Sequence, residues 1–262
     1  MNVLDVSYGV ANITEPWIHR QIERGWTGLV CNLWTGAHSF PDAEKVLRTW
    51  RESGGKTAGY LVIHDFRPAW EHVKGAMYSA GSEWSKLSFV AIDIEQVSHL
   101  DPLDQQVSVG MVEAVKQILT DSGVRKVIIY SSKHYWKSML QDTPDFADLP
   151  LWDSNEGNLR TPNLTANPGY GGWSERAGHQ FWLDEELDGV AVDMSVFEDA
   201  VFAEIPSEVS MQTVVDSLNL VWNRLDRIQK AAQGETIESI VSLAEEAKQL
   251  GVVEIKKSIG LQ

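Results

Sequence analysis

The stretch "FVAIDIEQV", residues 89–97, reads as a buried β-strand that ends in two carboxylates. Successive side chains of a strand point to opposite faces, so Phe89, Ala91, Asp93 and Glu95 share one face and Val90, Ile92 and Ile94 share the other. Asp93 and Glu95 are therefore same-face neighbours. Two like charges side by side at the end of an apolar strand oppose each other's ionisation, which destabilises the fold unless the pair has another use.

Strand and helix patterns alternate on both sides of this segment. "VLDVSY" (3–8) precedes a helical pattern around Trp17, Ile18 and Ile22, and "GLVCNLW" (28–34) precedes a helix from about Asp42 to Ser53. "TAGYLVIHD" (57–65) leads to a helical stretch over 68–84, with Pro68 placed near its start. After the quoted strand, a helix over about 102–121 closes at "SG", and "KVIIYSS" (126–132) is followed by a short helix at "HYWKSML". The rhythm then changes. "LPLWDS" (149–154), "HQFWLDE" (179–185) and "GVAVDMSVF" (189–197) are strand candidates with no helical pattern between them.

Eight strands with about five helices, ordered β-α first and mostly β at the end, predict an irregular, incomplete (β/α) barrel. An open doubly wound sheet usually carries a Gly-rich phosphate turn after an early strand, and "DVSYGVAN" is not one. In such barrels, chemistry gathers at the C-terminal ends of the strands. Asp93 and Glu95 lie at such an end, Asp5 lies near the end of the first strand, and Asp193 lies on the last. The first and last strands become neighbours when a barrel closes, so the four carboxylates are expected at one mouth.

Composition narrows the partners. The 262 residues include 37 acidic and 22 basic ones, a formal charge of −15, which disfavours nucleic acid and anionic membrane surfaces. The single cysteine, Cys31, excludes an internal disulfide and a cysteine zinc cluster, and reads as core filler. His64 and His179 lack a third ligand at metal spacing, so neither a metal nor another cofactor is expected. The N-terminus has no secretory signal pattern, and no run approaches the roughly 20 apolar residues of a membrane span. Synthesis in the cytoplasm without membrane insertion is expected, with any export needing outside help. N-x-T matches at Asn12 and Asn163 mean little in that setting.

"LDVSYG" (4–9), "AIDIE" (91–95), "VIIYSSKHYW" (127–136), "LPLW" (149–152) and "HQFW…GVAVDMSVF" (179–197) occur in an order and spacing that resemble the glycoside hydrolase family 25 muramidases. The resemblance spans about residues 1–200. It implies an irregular eight-stranded barrel that cleaves the β-1,4 bond between N-acetylmuramic acid and N-acetylglucosamine in peptidoglycan. Position by position, it implies Glu95 as general acid, Asp93 as its acidic companion, and Asp5 and Asp193 as the aspartates of the first and last strands. Two segments, "CNLWTGAHSF" (31–40) and "GYLVIHDF" (59–66), depart from the family pattern, so the resemblance says less about sugar subsites than about the reaction.

Glycoside hydrolysis needs a protonated carboxyl at the leaving oxygen and negative charge near the oxocarbenium-like centre. A crowded set of acids supplies both, because neighbouring charge raises the pKa of one member while another stays ionised. Flat aromatic faces suit sugar rings, and the chain has 11 tryptophans. Trp34, Tyr60, Tyr130 and Trp152 lie near expected strand ends and are the candidate substrate contacts, with Gln180 either touching substrate or pairing with backbone. Trp17, Trp50, Trp70 and Trp84, on helices, read as packing residues. The Gly/Pro/Asn-rich connection over 154–178 falls beside the expected mouth, where Tyr170 and Trp173 would form a cleft wall.

Residues 1–205 read as the barrel, and the composition shifts after Pro206. Met211, Val214, Leu218, Val221, Leu225, Ile228 and Ala232 follow 4-3 spacing, and a second helical pattern runs over about 237–250. The 206–262 tail is expected to be a barrel-covering hairpin, or else to join copies of the chain or attach it to a virion. Two functions fit: a phage-type muramidase, acting on the wall after holin-type release or within a virion, and a noncatalytic structural or glycan-binding protein on the same barrel.

Overall fold

Because both faces of the central strands are apolar, the sheet must be covered inside and out, and a closed barrel wrapped by helices does this. The computed structural model describes residues 1–7, 13–40, 42–101, 104–154 and 160–203. Among them are eight strands: β1 (Asn2–Val6), β2 (Gly28–Trp34), β3 (Lys56–Val62), β4 (Val90–Ile94), β5 (Val127–Ser131), β6 (Leu151–Ser154), β7 (Gly178–Leu187) and β8 (Val190–Phe197). Helices α1 (Glu15–Glu23), α2 (Ala43–Glu52), α3 (Ala69–Ala80), α4 (Val109–Asp121) and α5 (Lys133–Leu140) follow the first five strands in turn. Among the described residues no helix follows β6 or β7, so the barrel has its eight strands but fewer helices.

Strands pair in chain order, all parallel from β1 to β7. The last strand, β8, runs antiparallel to both β7 and β1 and closes the ring. Local signals set the helix starts. Thr14, Ser108 and Ser132 accept hydrogen bonds from the backbone N–H groups of Trp17, Met111 and Tyr135, satisfying donors that a helix start leaves unpaired. The fourth helix begins at Val109 rather than near 102, because the Asp65 carboxylate accepts from both the N–H and the hydroxyl of Ser108, at 3.0 Å each, and pins the chain there. The third ends at Ala80 and continues as a 3₁₀ turn, Gly81–Lys86, because Gly81 adopts φ 51°.

Alternation divides the core into two shells. Leu29, Cys31, Leu61, Ile92 and Ile129 face outward and pack against helix residues such as Trp17, Leu47, Val73 and Val115. Val3, Val30, Ala58, Ala91 and Ile128 face inward. The barrel interior is filled by an aromatic column. Phe202 and Phe89 (5.0 Å between ring centroids) lie at the base; Phe197 joins Phe202 (5.4 Å) to Trp152 (5.3 Å), and Tyr130 (4.6 Å) and Tyr60 (6.3 Å) sit against Trp152 towards the mouth. Trp152 Nε1 donates to Ser195 Oγ at 3.1 Å, satisfying the one polar atom of its ring. The helical patterns read over 206–262 lie outside the described residues.

Candidate active site

The inward parity of Ala91 and Val3 continues to Asp93 and Asp5, placing both carboxyls above the aromatic column. Asp5 pairs across the sheet with Asp193. That strand is antiparallel, so its N-terminal part, rather than its C-terminal end, faces the mouth. Glu95 follows β4 immediately and is only partly buried, whereas Asp93 is fully buried and Asp5 is 6% exposed. The barrel thus brings Asp5, Asp93, Glu95 and Asp193 to one end.

Gln180 on β7 joins these groups. Its Nε2 donates to Asp5 Oδ2 (3.0 Å) and Asp193 Oδ2 (3.3 Å), while its Oε1 accepts from Tyr130 Oη (2.8 Å) and Ser154 Oγ (3.0 Å). Both ends of the amide are occupied by side chains from four other strands, so Gln180 organises the site rather than pairing with backbone. Asp193 also accepts the Asp184 N–H at 2.7 Å. Two irregularities in β7 and a φ of 56° at Asp184 turn that amide towards Asp193.

Crowding and burial hold the acids protonated to unusual pH. Burial, then the charges of Asp193 and Glu95, raise Asp5 well above the usual carboxylate range, against the Gln180 hydrogen bond. Asp93 is raised by burial and by Glu95 and Asp5. Among the described residues, no N–H or alcohol group donates to either Asp93 oxygen, so the protonated form is favoured there, with its proton directed at the Glu95 carboxyl. Glu95 is lifted to about 7 by burial and Asp193, and Asp193 to about 6 by burial, opposed by the Asp184 N–H. Two carboxyls at the mouth therefore titrate close to neutral pH, where acid and base forms are both available.

Tyr60 and Tyr130, each 8% exposed, form the floor beneath the acids, and burial followed by the nearby carboxylates raises both phenol pKa values. Trp152 lies lower in the interior, 1% exposed, so it supports the floor and offers no open ring face. Trp34 is not at the mouth. An irregularity in β2 pairs Asn32 with Tyr60 and Trp34 with Leu61, so the intervening residue shifts the parity and Trp34 turns outward. Its Nε1 donates to His72 Nδ1 at 3.0 Å, and a Cβ on Gly75 would lie 2.1 Å from its ring. Tyr170 and Trp173 likewise do not wall the cleft. The Trp173 ring centroid lies 4.7 Å from that of Trp136 on α5, Trp173 Nε1 donates to Leu149 O, and Tyr170 Oη donates to Asp153 Oδ1, all outside the barrel.

Two site residues escaped the sequence reading. Asn32 is inward on β2, level with Tyr60 across the sheet, and Ser154 bonds Gln180. The first had a signal, since it is a polar residue on the inward parity of Val30; Ser154, at a strand end, did not. Among the described residues, no set of three or more His, Cys, Asp or Glu is disposed to hold a metal ion, and no helix is long and apolar enough to cross a membrane.

The fold of this barrel is similar to that of several solved endolysin, muramidase and lysozyme structures. It matches the CTP1L endolysin with a TM-score of 0.61 at 18% identity, over 86% of this chain and 79% of that one. It matches the muramidase of Acremonium alcalophilum with a TM-score of 0.61 at 15% identity, over 78% and 97% of the two chains. A family GH25 lysozyme from Aspergillus fumigatus gives a TM-score of 0.58 at 13% identity, over 78% and 100%. No protein-family model and no curated protein matches the sequence.

Proposed function

We propose that the chain is a peptidoglycan hydrolase of the muramidase type, cleaving the β-1,4 bond between N-acetylmuramic acid and N-acetylglucosamine. The observation that carries this reading is the meeting of four acids at one barrel mouth, with Glu95 poised at about 7 beside a more acidic Asp193. Glu95, partly exposed like Asp193 and held protonated to higher pH, donates its proton to the leaving glycosidic oxygen. Asp193, ionised first, supplies negative charge to the oxocarbenium-like centre or orients the acetamido group. Asp93 and Asp5 work from below: Asp93 directs a proton at Glu95, and Asp5 with Gln180 fixes Asp193.

The shared muramidase fold supports this reading, and the CTP1L endolysin among the neighbours supports a phage setting. In a phage setting, access to the wall comes by release across the membrane or by carriage within a virion. Purified peptidoglycan from several bacterial walls, incubated with the protein and assayed for released reducing ends, tests the reading. New muramic-acid reducing ends are expected. Binding without release on every wall would assign the barrel to a noncatalytic glycan-binding or structural role.

A further inference from the structure

Among the described residues, three large apolar side chains stand well exposed: Phe66 (43%), Trp70 (54%) and Tyr78 (78%). All three belong to one stretch, the turn after β3 and helix α3. Trp70, which the helical pattern assigns to packing, is therefore a surface residue. Side chains four apart share a helix face, so Trp70, Lys74 and Tyr78 form one stripe, while His72, Val73, Ala76 and Ala80 carry the buried face. The helix rise sets the two rings about 12 Å apart along the axis. Neighbours steady the upper part of the row. The Phe66 ring stacks on the buried His64 ring, with 5.6 Å between centroids and 15° between planes, and the Lys74 ammonium lies 5.6 Å from the Trp70 ring centroid.

The position of the row ties it to the mouth. Strand β3 ends at Val62, level with Asp93 across the sheet, and α3 runs back from that end towards the base. Phe66 thus stands near the rim, and Trp70 and Tyr78 follow down the outer wall. Contiguous exposed aromatic surface marks a binding face. Here the rings alternate with Lys74 and with the Arg67–Glu71 ion pair rather than with aliphatic side chains, which suits a hydroxyl-rich ligand better than a dry protein interface. A polymer cut at the mouth must extend beyond it, and rings in a row from the rim offer flat faces to the apolar C–H faces of its sugars.

We infer that α3 carries an accessory glycan-binding surface, on which the strand held at the acid mouth continues over Phe66, Trp70 and Tyr78. The inference rests on the muramidase reading and adds to it a contact outside the mouth.

Co-sedimentation of full-length Glu95→Gln protein with insoluble peptidoglycan measures wall binding apart from cleavage. Adding Trp70→Ala and Tyr78→Ala together should weaken that binding roughly tenfold, the scale of two lost ring contacts. Both side chains are largely exposed and alanine favours a helix, so the variant should remain folded. Tyr78→Phe, which keeps the ring, should keep the affinity. In a chain that retains Glu95, the two Ala substitutions should slow hydrolysis of insoluble wall by a similar factor and leave hydrolysis of short soluble wall fragments unchanged, because those occupy the mouth alone. Unchanged wall binding in the Ala variant, or equal losses on wall and fragments, would overturn the inference. A concentration-dependent dimer in light scattering that the Ala substitutions abolish would overturn it too, by assigning the stripe to a second copy of the chain. The two readings fail separately: walls that yield no reducing ends with wild type remove the muramidase reading and this surface with it, whereas reducing ends released from wall at equal rates by wild type and the Ala variant remove the surface alone.

Discussion

Replacing Glu95 by Gln removes a titrating proton from the mouth and leaves the side chain's size almost unchanged. Burial and Asp193 lift this carboxyl from 4.5 to about 7, so in that range the folded chain holds the proton more tightly than the unfolded chain does. Wild-type stability is therefore greatest below the window and falls as pH rises through it. A tenfold change in proton affinity is worth about 1.4 kcal/mol, which makes the full effect about 3 kcal/mol above pH 7 and the part developing between pH 5 and pH 8 about 2 to 3 kcal/mol. The Gln variant lacks this term. For a folded unit of about 200 residues, where 1 kcal/mol shifts Tm by about 2–4 °C, the variant should melt about 5–10 °C above wild type at pH 8 and within a few degrees of it at pH 5. Circular-dichroism melts of both proteins at the two pH values supply the comparison. Release of reducing ends from peptidoglycan should fall by roughly 100-fold or more in the same variant, the usual size of a general-acid contribution. Parallel pH dependences of Tm in the two proteins would refute the burial-and-charge account of Glu95. An undiminished rate would refute its role as acid.

Gln180→Met deprives Tyr130 Oη of its acceptor and Asp5 of its donor; stability should fall by about 1–3 kcal/mol in urea unfolding, and turnover should fall with Asp193 no longer fixed. Asp184→Asn keeps the N–H to Asp193 and tolerates a left-handed backbone while removing a nearby charge. It should move the Asp193 titration below its value of about 6, seen as an acid-side shift of the pH–rate profile. Trp173→Ala should cost about 3–5 kcal/mol of stability with turnover per folded molecule unchanged, because the ring packs on Trp136 outside the barrel. A selective loss of turnover in that variant would restore it to the cleft.

The acids were legible because strand parity is rigid. Once β4 is read as a strand, the side chain of Asp93 must follow that of Ala91 inward, and closure must bring the first strand beside the last. The same rule misplaced Trp34, since one extra residue between Asn32 and Trp34 reverses the face and leaves no mark in a run as apolar as "GLVCNLW". Tyr170 and Trp173 failed differently. A loop has no period, so its aromatic residues could be assigned to neither the cleft nor the outer surface before α5 was seen to receive them. Gln180 could be placed on an inward face, but its four side-chain partners come from four other strands and could not be named from local pattern.

The antiparallel closing strand also orders assembly. Every other pairing in the barrel joins strands consecutive along the chain, whereas β1 and β8 meet across nearly the whole described sequence, with the Met1 ammonium donating to Phe197 O at 2.9 Å. Contacts of such separation carry the largest loop-closure entropy and reward the chain last. A nascent or partly folded chain without β8 lacks Asp193, leaves Asp5 without its cross-strand neighbour and holds an open sheet edge on each side. The complete four-acid mouth therefore comes into existence in the same event that seals the barrel.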